Sequence, residues 1–192
     1  MNQASTSRTV MEAINARRSV RTFTVRKTDR RAINRLLAAA VRAPTAVHEE
    51  LWAFVVVQDA DTLKRLSDKA KPLFAQQAHL DHGGHGLDVF ARADFNIFYN
   101  AGTLIVICGP STAPFAAADC WLAAENLILA ASAQGFGTCV IGSAVAALNL
   151  PEVKAEFGIP AGFSAIAPII VGEPDKDTPR TSRKDPRLLA WK

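Results

Sequence analysis

An α+β layered domain with an extended C-terminal arm is the fold class this 192-residue chain predicts. Three patterns carry the prediction. Apolar residues recur at helical spacing in some segments. Others are short, continuous, β-branched runs. The last twenty residues, 173–192, are rich in Pro and Arg and have little to pack with. Helices and strands alternate irregularly, which favours an α+β arrangement over a regular doubly wound one. The length suits a single domain, residues 1–192, with a core large enough to need no disulfides.

The elements follow in order. A first helix is expected over about Val10–Arg17. In the second, Ile33, Leu36, Leu37, Ala40 and Val41 form an i, i+3, i+4, i+7, i+8 stripe. Thr28-Asp29 supplies its N-cap, and Pro44 stops it after Ala43. Trp52–Val57 reads as a buried strand. A helix capped by Asp59 or Asp61 then runs through Leu63 and Leu66. Residues 71–92 fit no element; the Gly-rich run Gln77–Gly86 predicts a loop or insertion. Thr103–Cys108 is a second buried strand, closed by Gly109-Pro110. Phe115–Gln134 is a long helix, apolar nearly all round, which belongs in the centre of a core or in a subunit interface. Gly135-Phe136-Gly137 ends it. A short strand Thr138–Ile141, a helix starting at Pro151 and ending at Gly158, and a last strand Ala165–Val171 complete the series.

Charge and cysteine content narrow the function. Lys and Arg total 22 against 18 Asp and Glu, a net +4. That mild surplus does not by itself indicate a nucleic-acid binder. The three cysteines, Cys108, Cys120 and Cys139, are an odd number in apolar surroundings, as suits small buried residues of a cytoplasmic protein. The first residues contain no apolar stretch that would read as a secretory signal. Phe115–Gln134 carries Asp119, Glu125 and Asn126 and makes a poor membrane span.

Common catalytic machinery is missing. Gly135-x-Gly137 has Val140 where a dinucleotide fingerprint needs a third glycine, and it follows a helix. No phosphate-binding Gly-x-x-x-x-Gly-Lys loop and no Gly-x-Ser-x-Gly elbow occur. His79, Asp81, His82 and His85 contain metal-ligating types, but nothing fixes their geometry, so no metal is expected. The cluster Arg17-Arg18-Ser19-Val20-Arg21 is more telling. Arginine is a planar, bidentate phosphate binder and serine adds a hydroxyl donor. From residue types alone, an anion site and a solvated basic surface both remain open. Ala43–Trp52 forms a polar turn before a buried strand, a place where donors gather at a sheet end. The tail adds Arg180, Arg183 and Lys184.

These segments together resemble the flavin-dependent nitroreductase family. Arg17–Arg21 matches its opening motif. Ala43-Pro44-Thr45 and Trp52 match or nearly match its second motif. Asp119–Leu127 resembles its central dimer helix, Gly135–Gly142 its Gly-Leu-Gly-Thr-x-x-Ile-Gly motif, and Ile169–Pro174 the strand that follows. Arg183, ahead of Pro186 and Trp191, fits its C-terminal arginine.

The resemblance implies a central, mainly antiparallel sheet flanked by helices, bound FMN, and a homodimer with active sites at its interface. Arg17, Arg18, Ser19 and Arg21 would hold FMN, with Arg183 adding a phosphate contact. Cys139, Val140, Ile141 and Gly142 would lie along the isoalloxazine. Pro44, Thr45, Ala46 and His48 would belong to the cofactor site from the other subunit's side. Hydride would pass from NAD(P)H to a nitroaromatic, quinone or similar small-molecule acceptor by a ping-pong cycle. The flavin carries that chemistry, so no catalytic acid or nucleophile is assigned; Arg21 and His48 are the candidates to assist. Residues 71–92 would shape the substrate side. His48, Glu50 and Leu51 depart from the motif's Asn, Gln and Pro, and all three changes touch the flavin-side loop. An inactive flavin- or nucleotide-binding protein of the same fold is the alternative; a nucleic-acid binder is the more distant one.

Overall fold

The computed structural model describes residues 8–82 and 88–192. Four strands form one sheet in the order β1-β2-β4-β3, every pair antiparallel. They are β1 (Ala53–Val57), β2 (Thr103–Pro110), β3 (Gly137–Val140) and β4 (Phe163–Gly172). Seven α-helices surround it among the described residues: α1 (Val10–Ala16), α2 (Arg30–Ala40), α3 (Ala60–His82), α4 (Asp88–Ala91), α5 (Ala116–Ala133), α6 (Val145–Leu148) and α7 (Pro151–Glu156). The α+β class and the antiparallel sheet agree with the sequence.

The unbroken apolar run of β2 follows from a sheet covered on both faces. Successive side chains point to opposite sides. Leu104, Val106 and Cys108 pack into the cluster formed with Leu63 and Leu66 of α3 and Ala147 and Leu148 of α6. Ile105 and Ile107 pack the other way, onto Leu36 of α2 and Ala123 and Leu127 of α5. The β-strand carrying those residues therefore has no solvent face and needs no polar alternation.

Capping sets several boundaries. The Thr9 hydroxyl accepts from the Glu12 N–H while the Glu12 carboxylate accepts from the Thr9 N–H, a capping box at the start of α1. The Asp29 carboxylate accepts from the Ala32 N–H at 2.8 Å, as expected for α2. That helix ends at Ala40, three residues earlier than Pro44 suggested. The largest departure is α3. It continues through Pro72 to His82 where the sequence predicted a loop from Gln77. Its inner face is anchored by Leu63, Leu66 and Ala70, and Lys71 is buried with its ammonium donating to the Arg92 and Phe95 carbonyls. The side chains of His79, Asp81 and His82, and all of His85, lie outside the described residues.

Helix α5 has two unlike faces. Cys120, Ala123, Leu127 and Ala131 are buried against the sheet. Trp121 and Leu122 are 44% and 47% exposed, and α1, which packs on α5, carries exposed Val10, Met11 and Ile14. The all-round apolar pattern thus splits into a core face and an uncovered one. No helix among the described residues is long and apolar enough to cross a membrane. All three cysteines are buried and free. Burial pushes the Cys108 thiol up to about 11 and the Cys120 thiol up to about 12.

One close approach fixes the segment after α1. A Cβ on Gly137 would meet Val20 Cγ2 at 2.8 Å and Val20 Cβ at 2.9 Å. Val20 is buried and its Cβ cannot swing aside, so Gly137→Ala must displace backbone. The expected loss is about 1–3 kcal/mol, read as a melting-temperature drop of about 2–12 °C for a domain of this size. An unchanged melting temperature would show that Val20 can move away from β3.

Candidate functional site

The site begins where α1 ends. The Arg17 N–H closes the helix on the Ala13 carbonyl at 2.9 Å. The chain then runs extended along β3: Ser19 bridges Thr138, and the Val20 N–H donates to the Thr138 carbonyl at 2.9 Å. Further on, Phe23 bridges Pro174, and the Asp175 N–H donates to the Thr22 carbonyl at 3.1 Å. Residues 17–24 are thus strung between β3 and the root of the C-terminal arm.

This placement gathers basic side chains. Arg17, Arg18, Arg21, Arg180 and Arg183 line a single open cleft of about 980 Å³. Ser19 lines it too, and Glu125 of α5 contributes a carboxylate. The Arg18 guanidinium donates to the Asn15 carbonyl at 2.7 Å, which pins it at the helix end. Such a set offers many charge-assisted donors in a fork geometry suited to phosphate.

A second cleft of about 290 Å³ lies alongside. Arg21, Cys139, Val140, Ile141 and Gly142 line it together with aromatic rings. Phe74 and Phe90 stand 4.7 Å apart, Phe90 and Phe95 5.5 Å, and Phe95 and Tyr99 5.7 Å between centroids. Arg21 borders both clefts. Burial holds the Cys139 thiol above its usual range, with the positive charge of Arg21 acting against it.

The structure therefore brings together Arg17, Arg18, Ser19, Arg21, Cys139–Gly142 and Arg183. It does not bring in Pro44, Thr45, Ala46 or His48, none of which lines either cleft of its own chain. They occupy a separate loop after α2. Its Ala46 N–H donates to the Asp119 carboxylate at 3.2 Å. Val47, His48 and Glu50 all have left-handed backbones, with φ of 47°, 59° and 50°. A β-branched residue there is a genuine outlier, and strain of this kind persists only where something over-determines it.

Sequence reasoning missed Glu125 and the four aromatic residues. Glu125 was read only as a helix residue. Phe74 and Phe90 fall in the stretch that matched no pattern, and their rings meet only through folding. The i, i+4 spacing of Phe95 and Tyr99 was the one available signal.

Antiparallel sheet, arginine-lined cleft and adjoining apolar cleft define an α+β protein with room for a ligand that joins an anion to a flat apolar body. The chain belongs to the Nitroreductase family, whose sequence model matches residues 14–173. It is 28% identical over 169 residues to an Archaeoglobus fulgidus protein provisionally named an NADH dehydrogenase/NAD(P)H nitroreductase, covering 85% of this chain and 84% of that one. A nitroreductase from Bacteroides fragilis, solved with bound FMN, superposes with a TM-score of 0.81 at 27% identity, covering 96% of this chain and all of that one. Iodotyrosine deiodinase bound to FMN and 3-iodo-L-tyrosine shares the fold, with a TM-score of 0.71 at 20% identity over 94% of this chain and 97% of that one.

The strained loop yields a direct expectation. Val47 is 83% exposed, so removing its side chain costs little packing within the chain. Val47→Gly releases about 1–2 kcal/mol of left-handed strain and adds about 0.5–1 kcal/mol of unfolded-state freedom. The net change in unfolding free energy is a rise of about 0–1.5 kcal/mol, measurable by urea denaturation. A fall instead would show that Val47 packs on something outside its own chain.

Proposed function

We propose that this chain is an FMN-dependent oxidoreductase that passes a hydride from NAD(P)H to a nitroaromatic, quinone or similar acceptor. The observation that carries this reading is Arg21 standing between an arginine-lined polar cleft and an apolar one. A flavin mononucleotide has that same division into phosphate, polyol and flat ring. Membership of the Nitroreductase family and the FMN bound in the Bacteroides fragilis relative support it.

The residues present fit the group. Arg17, Arg18, Arg180 and Arg183 would hold the phosphate, and Ser19 would add a hydroxyl. Cys139, Val140, Ile141 and Gly142 would line the ring. Bound FMN would supply the hydride chemistry of a ping-pong cycle between NAD(P)H and the acceptor. The protein binds, orients and supplies charge. Arg21 favours negative charge at its end of the ring site, and it does so in a semi-enclosed cleft where a fixed cation counts for more than in water. His48 is the candidate proton donor from the neighbouring subunit's loop.

The same reading makes the protein a homodimer. Pro44–His48 stand outside their own chain's clefts, so a second chain is what would bring them to a flavin. Val10, Met11 and Ile14 of α1 and Trp121 and Leu122 of α5, the helix it packs on, are exposed apolar side chains that suit burial against another copy. Residues 1–192 act as one domain, and residues 173–192 are the arm that brings Arg180 and Arg183 to the cleft. The three buried, free cysteines fit a cytoplasmic location.

The purified protein is expected to be yellow, with a flavin spectrum that NADPH or NADH bleaches when oxygen is excluded. Arg17→Ala or Arg18→Ala removes charge-assisted bonds of about 1.5–3 kcal/mol, so FMN should bind about ten- to a hundred-fold more weakly. Undiminished FMN retention in the double variant would refute the phosphate assignment. Sedimentation should give a dimer at micromolar concentration, and Trp121→Asp should shift it to monomer with loss of bound flavin. A parent protein that sediments as a stable monomer would refute the dimer.

A further inference from the structure

Arg21 is held in an unusual way for a surface cation. Among the described residues no carboxylate forms an ion pair with it. Glu125 lines the same cleft and is the acidic group facing it there, but the two are not paired. Besides the neutral Cys139 thiol, what meets the guanidinium is a ring: its central carbon lies 6.0 Å from the Tyr99 centroid. That is within the range of a cation–π contact.

The ring is itself fixed with care. Tyr99 has a left-handed backbone at φ 52°, and Asn100 follows at 57°. Asparagine tolerates that region, whereas a tyrosine there is strained. Several contacts impose the shape. The Tyr99 N–H donates to the Asn96 carbonyl at 2.9 Å, and the Asn96 amide donates to Asn100 Oδ1 at 3.1 Å. The Ile97 N–H donates to the buried Ser67 hydroxyl at 3.1 Å. Phe98 is fully buried beside it. On its other side the Tyr99 ring meets Phe95 edge-on, and Phe95 meets Phe90 the same way.

The two ways of holding a cation differ in their consequence. A carboxylate partner orients a guanidinium and cancels its charge. An aromatic face orients it through the ring quadrupole and leaves the net charge at +1. We propose that Tyr99 is a positioning residue whose ring fixes Arg21 at the junction of the two clefts with its charge uncancelled, so that the site favours the negatively charged reduced flavin over the oxidised one. This rests on the flavin reading above.

The test uses the full-length protein loaded with FMN. The flavin midpoint potential and the oxidised-FMN dissociation constant are measured for the parent, Tyr99→Leu, Tyr99→Phe, Arg21→Ala and the Tyr99→Leu/Arg21→Ala double variant. Tyr99→Leu should weaken binding of reduced flavin about tenfold more than that of oxidised flavin, a fall of about 30 mV for a two-electron couple. Tyr99→Phe keeps the face and should keep the potential. Arg21→Ala should lower the potential at least as far, and Tyr99→Leu should add nothing in that background. Pentafluorophenylalanine at position 99 preserves the shape and reverses the quadrupole, so it should behave like leucine even if Tyr99→Leu fails to fold.

A potential unchanged in Tyr99→Leu or in the fluorinated variant, with FMN still bound, overturns the role of Tyr99. So does an equal fall in the Arg21→Ala background. A parent that takes up no FMN overturns the flavin reading and this inference with it, and is told apart by the missing flavin absorbance.

Discussion

The contact between Val20 and the first residue of β3 sets where Arg17, Arg18 and Arg21 of the candidate site can stand. Gly137 gives up its side chain so that Val20 can lie against the strand, and the Val20 N–H is then satisfied by Thr138. A burying side chain and a backbone hydrogen bond at one residue leave the neighbours on either side facing outward. Arg17, Arg18 and Ser19 thus fall toward one cleft, while Arg21 falls at its border with the next. The same extended segment continues to Pro174, tying the root of the C-terminal arm to the opposite end. The geometry of Arg17, Arg18 and Arg21 is therefore a property of sheet packing, with no loop conformation of their own to maintain.

Much of this was legible in the sequence because the informative features were local. The α2 stripe, the Asp29 cap, the β-branched runs of β1, β2 and β4 and the Arg17–Arg21 cluster each lie within a dozen residues, where periodicity and residue type act. The apolar character of α5 is legible in its sequence, and in the structure it divides into a buried face and an exposed one. The extent of α3 was not legible. Gly83 and the polar run before it signalled a loop, but tertiary burial of Leu66 and Ala70 and the Lys71 ammonium's carbonyl partners hold the helix on. Local propensity is a weak prior against such packing.

The candidate site divides along the same line. Residues contiguous in sequence, Arg17–Arg21 and Cys139–Gly142, were found together. The wall formed by Phe74, Phe90, Phe95 and Tyr99 was not, because its members come from two helices and a connecting segment and meet only in space. The Pro44–His48 loop posed a third situation. Its residues carry a sequence motif, yet one chain holds them apart from the clefts, with Asp119 gripping the Ala46 N–H from the first turn of α5.

The arm gives the cleft two kinds of wall. Arg17 and Arg18 stand on a segment bonded to the sheet. Arg180 and Arg183 stand on a stretch in which every residue from Pro179 to Lys192 is exposed and none belongs to a helix or strand. Ordering such backbone costs about 1–2 kcal/mol per residue, and within a single chain little burial opposes that cost. An anion held by all four arginines must therefore lose part of its binding energy to freezing the arm, unless a surface has already frozen it. Affinity at this cleft is consequently set by chain entropy as well as by charge, and whatever the arm rests against governs how strongly the fixed arginines can act.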